Sequence, residues 1–297
     1  MKYACISDLH LTWGKPIGRL DEVKETGIQK FAYLLKWCRD NDAELLIAGD
    51  LTHSSHGWYL YLAIMKEILK YKVIPKVVYG QHDMYFRTRV TTILNALEKN
   101  GLVKVIDGQD IFLYGYCWND EEEDISFEII KSEIVVPKIL IIHAPITTKE
   151  IYPGGNFIDA RQFLREQDAF DLIVCGDIHR KFHVKYKGRH IVNSGPMLRI
   201  DADEYMFDHE PGFWVYDSKI KEVEWEEIPH KSAEEVLSRE HIERKKEIVL
   251  MMDDFIESIS GEVDMDVDFE ENVMLFIKEN KIDEEVQQVL EYTMQEE

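Results

Sequence analysis

Five apolar runs punctuate the first 180 residues, and a polar block follows each one. The runs are Tyr3-Ala4-Cys5-Ile6, Leu45-Leu46-Ile47-Ala48, Val77-Val78-Tyr79, Ile139-Leu140-Ile141-Ile142 and Leu172-Ile173-Val174-Cys175. Unbroken short apolar runs read as strands covered on both faces. Between them the period changes. Ile28, Phe31, Leu34, Leu35 and Cys38 fall at helical spacing, which predicts a helix over 25–40. Further helices are predicted near 57–71 and 88–99. Shorter strands follow at 111–116, 138–142, 172–175, 182–187, 190–193, 213–217 and 222–228, with Lys187-Gly188-Arg189 as a hairpin turn. Early βαβ alternation followed by short strands predicts an α/β chain of mixed topology, an αββα sandwich.

The polar blocks are Asp8-Leu9-His10, Gly49-Asp50, Gly80-Gln81-His82-Asp83, His143-Ala144-Pro145 and Gly176-Asp177-Ile178-His179. Each carries hard oxygen or imidazole ligands. Strand ends in α/β sheets project their first loop residues into one crevice. Two divalent ions about 3.5–4 Å apart can clamp a phosphodiester and ionise a water between them. Asp8 and His10 lie two apart on an extended segment and can lean into one ion together. Asp50 is the natural bridge, and His179 can close the first shell. Gln81, His143 and Asp177 remain for the second ion. His82 is then free to protonate a leaving oxygen, with Asp83 to orient its ring. A lone Asp-x-His is common, and Gly-Asp alone also reads as a turn. The signal is the set of five, in order, at the ends of predicted strands.

Charge divides the chain. The net charge is −22. Residues 230–297 carry 21 acidic and 7 basic residues, and residues 1–229 carry 36 and 28. The composition shift after Pro229 predicts a larger domain over 1–229 and an acidic helical segment over 230–297. That segment has apolar stripes at Ile248, Met252, Phe255, Ile256 and Ile259, at Val273, Phe276 and Ile277, and at Ile282, Val286, Val289 and Leu290. The run Asp120-Glu121-Glu122-Glu123-Asp124 reads as a solvated loop leading into a helix. So acidic a surface argues against an autonomous high-affinity DNA-binding module. It does not exclude a nuclease whose metals neutralise its site. No apolar run reaches the ~18 residues that span a bilayer. The four cysteines, Cys5, Cys38, Cys117 and Cys175, are widely spaced, which fits reduced thiols and a cytoplasmic protein without membrane contact.

The five blocks resemble the calcineurin-like metallophosphoesterase superfamily over roughly residues 1–200. Ser7-Asp8-Leu9-His10-Leu11, Gly49-Asp50-Leu51, Asn193-Ser194-Gly195-Pro196 and Pro211-Gly212-Phe213 resemble its DNA-repair exonuclease branch, the SbcD-like nucleases. The protein phosphatase branch fits poorly, because Asp50 is followed by Leu51-Thr52-His53 and not Arg-Gly. The resemblance implies a DNA exonuclease, with endonuclease activity as well, that uses two ions, Mn²⁺ or else Mg²⁺. It implies a substrate-positioning role for His53 and a substrate-side turn at Ser194. It also implies an ABC-type, SbcC-like ATPase partner docked on the C-terminal helices, a reduced cap, and homodimers. Compact members of this kind are known from phage genomes. Two positions depart from the family pattern. Gln81 stands where the family has Asn, and Asp177 where it has His. Both belong to the second metal, and the two changes compensate each other or weaken that site.

Other readings stay open on the same residues. The dimetal site could serve a small-molecule phosphodiesterase or nucleotide phosphatase, which the acidic surface favours. A degenerate enzyme kept as a scaffold for an ATPase is a third reading. Arg87 and Arg89 could hold a phosphate, or form the solvated first turn of the helix at 88–99. Trp58, following His53 and His56, could stack a base or cover the next helix.

Overall fold

The chain opens with β1 (Lys2–Ile6), α1 (Val23–Asp40), β2 (Ala43–Ala48), α2 (Trp58–Tyr71) and β3 (Lys76–Val78). α3 (Ile93–Lys99), β4 (Lys104–Val105), β5 (Gly108–Asp110), β6 (Leu113–Tyr116), β7 (Ile139–Ala144), β8 (Ile146–Thr147) and β9 (Ile158–Asp159) follow. Then come α4 (Ala160–Glu166), β10 (Leu172–Asp177), β11 (Phe182–Tyr186), β12 (Arg189–Asn193) and α5 (Glu204–Asp208). The series ends with β13 (Gly212–Asp217), β14 (Glu222–Glu227), α6 (Ala233–Val236) and α7 (Glu240–Gly261). The computed structural model describes residues 1–110, 113–117 and 137–261. The acidic run at 120–124 and the apolar stripes beyond residue 261 lie outside the described residues.

Among the described residues two six-stranded sheets form, with β8 and β9 paired apart from them. The first runs β14-β13-β1-β2-β3-β4, and the second β11-β12-β10-β7-β6-β5. β1, β2, β3 and β4 are parallel, as are β6, β7, β10 and β12, and the remaining strands of each sheet pair antiparallel. β2 faces both β7 and β10 across the interior. One apolar core joins the inner faces of both sheets to α1, α2 and α3. A second core packs α4 on the other face of the β7–β10 sheet. This is the αββα sandwich of mixed topology that the pattern predicts.

Local reasons for the elements are plain. α1 buries Phe31, Leu34, Leu35 and Cys38, the stripe read from spacing. α3 begins at Ile93, five residues later than the pattern suggests. Tyr85 and Thr88 close a tight turn on each other's backbone, with Phe86 and Arg87 in left-handed conformation, and no helix can start there. Thr92 then caps α3, its hydroxyl accepting from the Asn95 amide at 3.2 Å. All four cysteines are buried free thiols. No helix among the described residues is long and apolar enough to cross a membrane.

The chain divides into two compact units, Met1–Ser238 and Arg239–Glu297. The larger unit includes α6, whose Ala233 and Val236 pack with Leu237 and with Met206 of α5. Residues 230–238 therefore lie in the larger unit, although their composition groups them with the acidic segment.

Candidate metal centre

Parallel strands place the ends of β1, β2 and β3 side by side, and the loops beyond β1 and β2 stay joined. The amides of Asp8, His10 and Leu11 donate to the carbonyls of Gly49, Asp50 and Leu51, and His53 N donates back to Leu11 O at 3.0 Å. This ladder brings Asp8 and His10 to Asp50 and His53. The second sheet supplies His143 from the end of β7 and Asp177 from the end of β10, paired in register one residue apart. Asp8, His10, Asp50 and Asp177 all have positive φ, from 46° to 89°. Non-glycine residues rarely adopt that region, and it recurs where the fold must aim a side chain.

Two glycines make the approach possible. A Cβ on Gly49 would overlap the His143 ring, and one on Gly80 would overlap the Asp50 carboxylate. The missing side chain at Gly49 lets the two sheets meet, and the one at Gly80 lets the loops after β2 and β3 close on each other.

The ligand atoms gather in overlapping groups. Asp8, His10 and His179 form one, Asp8, Asp50 and His143 a second, and His10, His53 and His82 a third, each with its ligand atoms within 4.8 Å of one another. The His10 and His179 Nε2 atoms are 3.0 Å apart. Asp50 Oδ1 accepts from the His82 amide at 2.9 Å, which leaves Oδ2 for the cluster. That oxygen is 3.7 Å from His10 Nε2 and 3.6 Å from His143 Nε2. It lies between the two groups, where a bridging ligand must be. His143 Nε2 is also 2.8 Å from Gln81 Oε1 and 3.8 Å from Asp177 Oδ1. Gln81 Nε2 donates to Asp177 Oδ1 at 3.1 Å, so the two departures from the family pattern touch each other.

Tautomers follow from the partners. His143 Nδ1 is 2.8 Å from the Ala48 carbonyl, which can only accept, so this nitrogen carries a proton. His82 Nδ1 is fixed the same way by the His53 carbonyl at 3.1 Å. His82 Nε2 is then available, while His143 Nε2 faces Gln81 Oε1 and would give up its proton to take a cation. His10 Nδ1 faces His53 Nδ1 at 3.4 Å, which frees His10 Nε2 for a cation once Nδ1 is the donor.

Electrostatics fit a missing positive charge. Asp8 Oδ2 and Asp50 Oδ2 are buried without a hydrogen-bond partner. Burial pushes the Asp50 carboxyl up to about 8, helped by Asp83 and Asp8 and opposed by His143. Burial also works against charge on His143, but Asp50, Asp8 and Asp177 outweigh it and raise its pKa. Burial holds His10 well below its usual range, and holds His53 and His82 below theirs. Buried carboxylate oxygens without donors, ringed by imidazoles, are the donor set of a hard-to-borderline divalent cation.

Several expectations change. Asp83 does not orient His82. Its oxygens accept from the amides of Leu51, Thr52 and Gly80 and from the Thr52 hydroxyl, at 2.9–3.2 Å. It fastens the β2 and β3 loops together, and the His53 carbonyl sets the ring. Ser194 is buried, accepts from Ser7 N at 2.9 Å and donates to Gly195 O at 2.8 Å, so it braces the strand below Asp8 and does not face substrate. Arg89 pairs with Asp107 and lies over the Tyr79 ring. Arg87 is exposed at the tip of the Tyr85–Thr88 turn, outside the ligand groups. The carbonyls of Ala48 and His53 are the parts that sequence could not reveal, because carbonyl direction leaves no residue-type signal.

A mixed αββα sandwich with carboxylates and imidazoles gathered at adjacent strand ends defines a metal-dependent hydrolase class. The calcineurin-like phosphoesterase family model matches residues 1–181. The chain belongs to that family, whose members hydrolyse phosphoesters at a dimetal site. No curated relative matches the chain. Among solved structures, TT1561 of Thermus thermophilus is 12% identical, with TM-score 0.48, covering 77% of this chain and 99% of that one. A novel archaeal phosphodiesterase is 12% identical at TM-score 0.42, covering 76% and 99%. A putative 5′-nucleotidase from Staphylococcus aureus is 13% identical at TM-score 0.43, covering 78% of this chain and 55% of that one.

Proposed function

We propose that the chain is a Mn²⁺-dependent phosphodiesterase that cleaves DNA from its ends, with some internal cleavage. The observation that carries the choice of DNA is aromatic. The loops bearing His10 and His53 run on into Trp13, Trp58 and Tyr59, all about half exposed or more. Trp13 stacks on Tyr59 with centroids 5.7 Å apart, and Trp58 lies 3.7 Å from Tyr59. Exposed aromatics beside a phosphodiester site suit unpaired bases, since every base has a π-face.

Asp8, His10, Asp50 and His179 would hold one divalent ion, and Asp50, Gln81, His143 and Asp177 the other. Bound there, the pair supplies Lewis acidity and lowers the pKa of an attacking water. His82 keeps its Nδ1 proton on the His53 carbonyl, so proton traffic to the leaving oxygen runs through Nε2. Its lowered pKa means that a protonated His82 becomes scarce as pH rises. The acidic segment beyond residue 238 suits docking to an ABC-type ATPase, and homodimers are part of the same reading.

The second reading keeps the site and makes the substrate a small phosphodiester or nucleotide. The net charge of −22 favours it, because such a surface repels long polyanions. One assay separates the two. Linear duplex, single strands and a chromogenic phosphodiester are compared with Mn²⁺, Mg²⁺ and EDTA, with His82→Ala as control. The first reading expects Mn²⁺-dependent DNA cleavage that the variant loses. Hydrolysis of the chromogenic diester with DNA left intact would transfer the assignment to small molecules.

A further inference from the structure

Behind the Asp8 strand end, the larger unit contains a cavity of about 360 Å³. A second stripe of α1 builds one wall. Thr26, Gln29, Lys30 and Tyr33 are spaced three and four apart, and all four line the cavity. Arg19, Arg199 and Lys231 line it as well. Four cationic residues thus line the space with one acidic residue, Asp21. Such an excess is unexpected in a chain of net charge −22.

These cations are not surface charges. Arg19, Lys30 and Arg199 are 3%, 5% and 3% exposed. Asp21 is already engaged. Its oxygens accept from Arg19 Nε and Nη2, at 2.8 Å each, and from the Thr26 hydroxyl at 2.6 Å. Lys30 Nζ donates to the Met197 carbonyl at 2.9 Å. Arg199 Nε and Nη1 donate to the carbonyls of His209 and Lys231, at 2.9 and 2.8 Å. A carbonyl carries no net charge, so neither Lys30 nor Arg199 has an ion-pair partner among the described residues. Burial, Arg199 and Arg19 pull the Lys30 pKa down to about 7. Buried like charges around an open space are costly unless a counter-ion enters.

We propose that this cavity is a binding site for a phosphate-bearing anion, held by Lys30, Arg199 and Lys231. Guanidinium and ammonium groups are the usual grip on a phosphate dianion. The volume falls in the range of small-ligand pockets, roughly 300–1,000 Å³, and exceeds what a bare phosphate needs. Tyr33, Pro229 and Val236 give the remaining space an apolar wall, which suits a nucleoside carried on the phosphate. The site is separate from the metal centre, though only one residue intervenes. Met197 offers its carbonyl to Lys30 and its amide to the Asp8 carbonyl at 3.1 Å. The inference does not depend on which diester the metal centre cleaves.

The test is calorimetric titration of the full chain in EDTA, so that metal-bound phosphate does not contribute. Inorganic phosphate and a nucleoside monophosphate are the two probes, against chloride at equal ionic strength. Saturable one-to-one binding is expected in the wild type and in Asp50→Asn, which removes a metal ligand and spares the cavity. Lys30→Met and Lys231→Glu should each weaken it by at least about tenfold. Lys231 is an exposed rim residue, so its variant keeps the fold, and an unchanged melting curve checks this. Tighter binding of the nucleotide assigns the apolar wall to the nucleoside, and equal binding assigns the site to phosphate alone. The proposal is overturned by no saturable binding of either probe, by wild-type affinity in both lysine variants, or by loss of binding in Asp50→Asn.

Discussion

Asp50 Oδ2 is the atom on which the centre turns. It is buried, unpaired and equidistant, within about 0.1 Å, from His10 and His143. Its carboxyl moves from 3.8 to about 8 in the metal-free protein. Between those values the folded state holds a proton that the unfolded chain has released, so metal-free stability falls as pH rises through the window. A divalent ion held by Asp50 would compete with that proton. The rise in melting temperature on adding Mn²⁺ should therefore grow from pH 5.5 to 8, and Asp50→Asn should flatten the trend, as read by differential scanning fluorimetry. His82→Ala should lower turnover by ~10²–10⁴-fold. Mn²⁺ affinity, followed by calorimetry, should stay within a few-fold of wild type, because the His82 ring is not needed to complete either ligand set. Asp83 gives the opposite pattern. Asp83→Ala strands three buried amides and a hydroxyl and should cost about 3 kcal/mol in urea unfolding.

At the scale of elements, the site is a property of strand ends more than of any motif. β1, β2, β7 and β10 were legible because each is an apolar run too short for a helix, and the polar residue ending each run had to face the crevice. Gly49 and Gly80 are part of the same logic. Gly49→Ala meets both the His143 ring and a φ of +82°, so it should lower stability by at least about 1 kcal/mol and weaken Mn²⁺ binding at the His143 side. What pattern could not show depends on backbone direction. Asp83 turns inward because three amides converge on it. α3 starts late because Phe86 and Arg87 take a turn conformation that glycine would have advertised and these residues do not. Lys30 reads as a solvated position in an amphipathic helix until the 195–200 segment packs over it. The aromatic loop residues were visible in sequence, but their mutual stacking was not. Trp58→Ala should weaken single-stranded DNA binding about 5–100-fold, measured by fluorescence anisotropy in the slow His82→Ala background. Hydrolysis of a chromogenic diester, measured with His82 intact, should be unaffected.

For the whole molecule, the division at Ser238 has a direct test. Met1–Ser238 holds both apolar cores and every ligand of the metal centre. A chain ending there should melt cooperatively and keep chromogenic diester hydrolysis, while losing any ATPase partner that the acidic segment engages. The first sheet also ends in an informative way. β14, its outermost strand, reads Glu222-Val223-Glu224-Trp225-Glu226-Glu227, and its carboxylates at 222, 224 and 227 are exposed. A free strand edge is a template for another chain's backbone. Here any second copy approaching along that edge in antiparallel fashion would bring its own row of glutamates against this one, and like charges set opposite each other repel. Among the described residues the sheet ends at β14, and its row of glutamates would work against fibre-like stacking at the crowded concentrations where an unguarded edge would seed it.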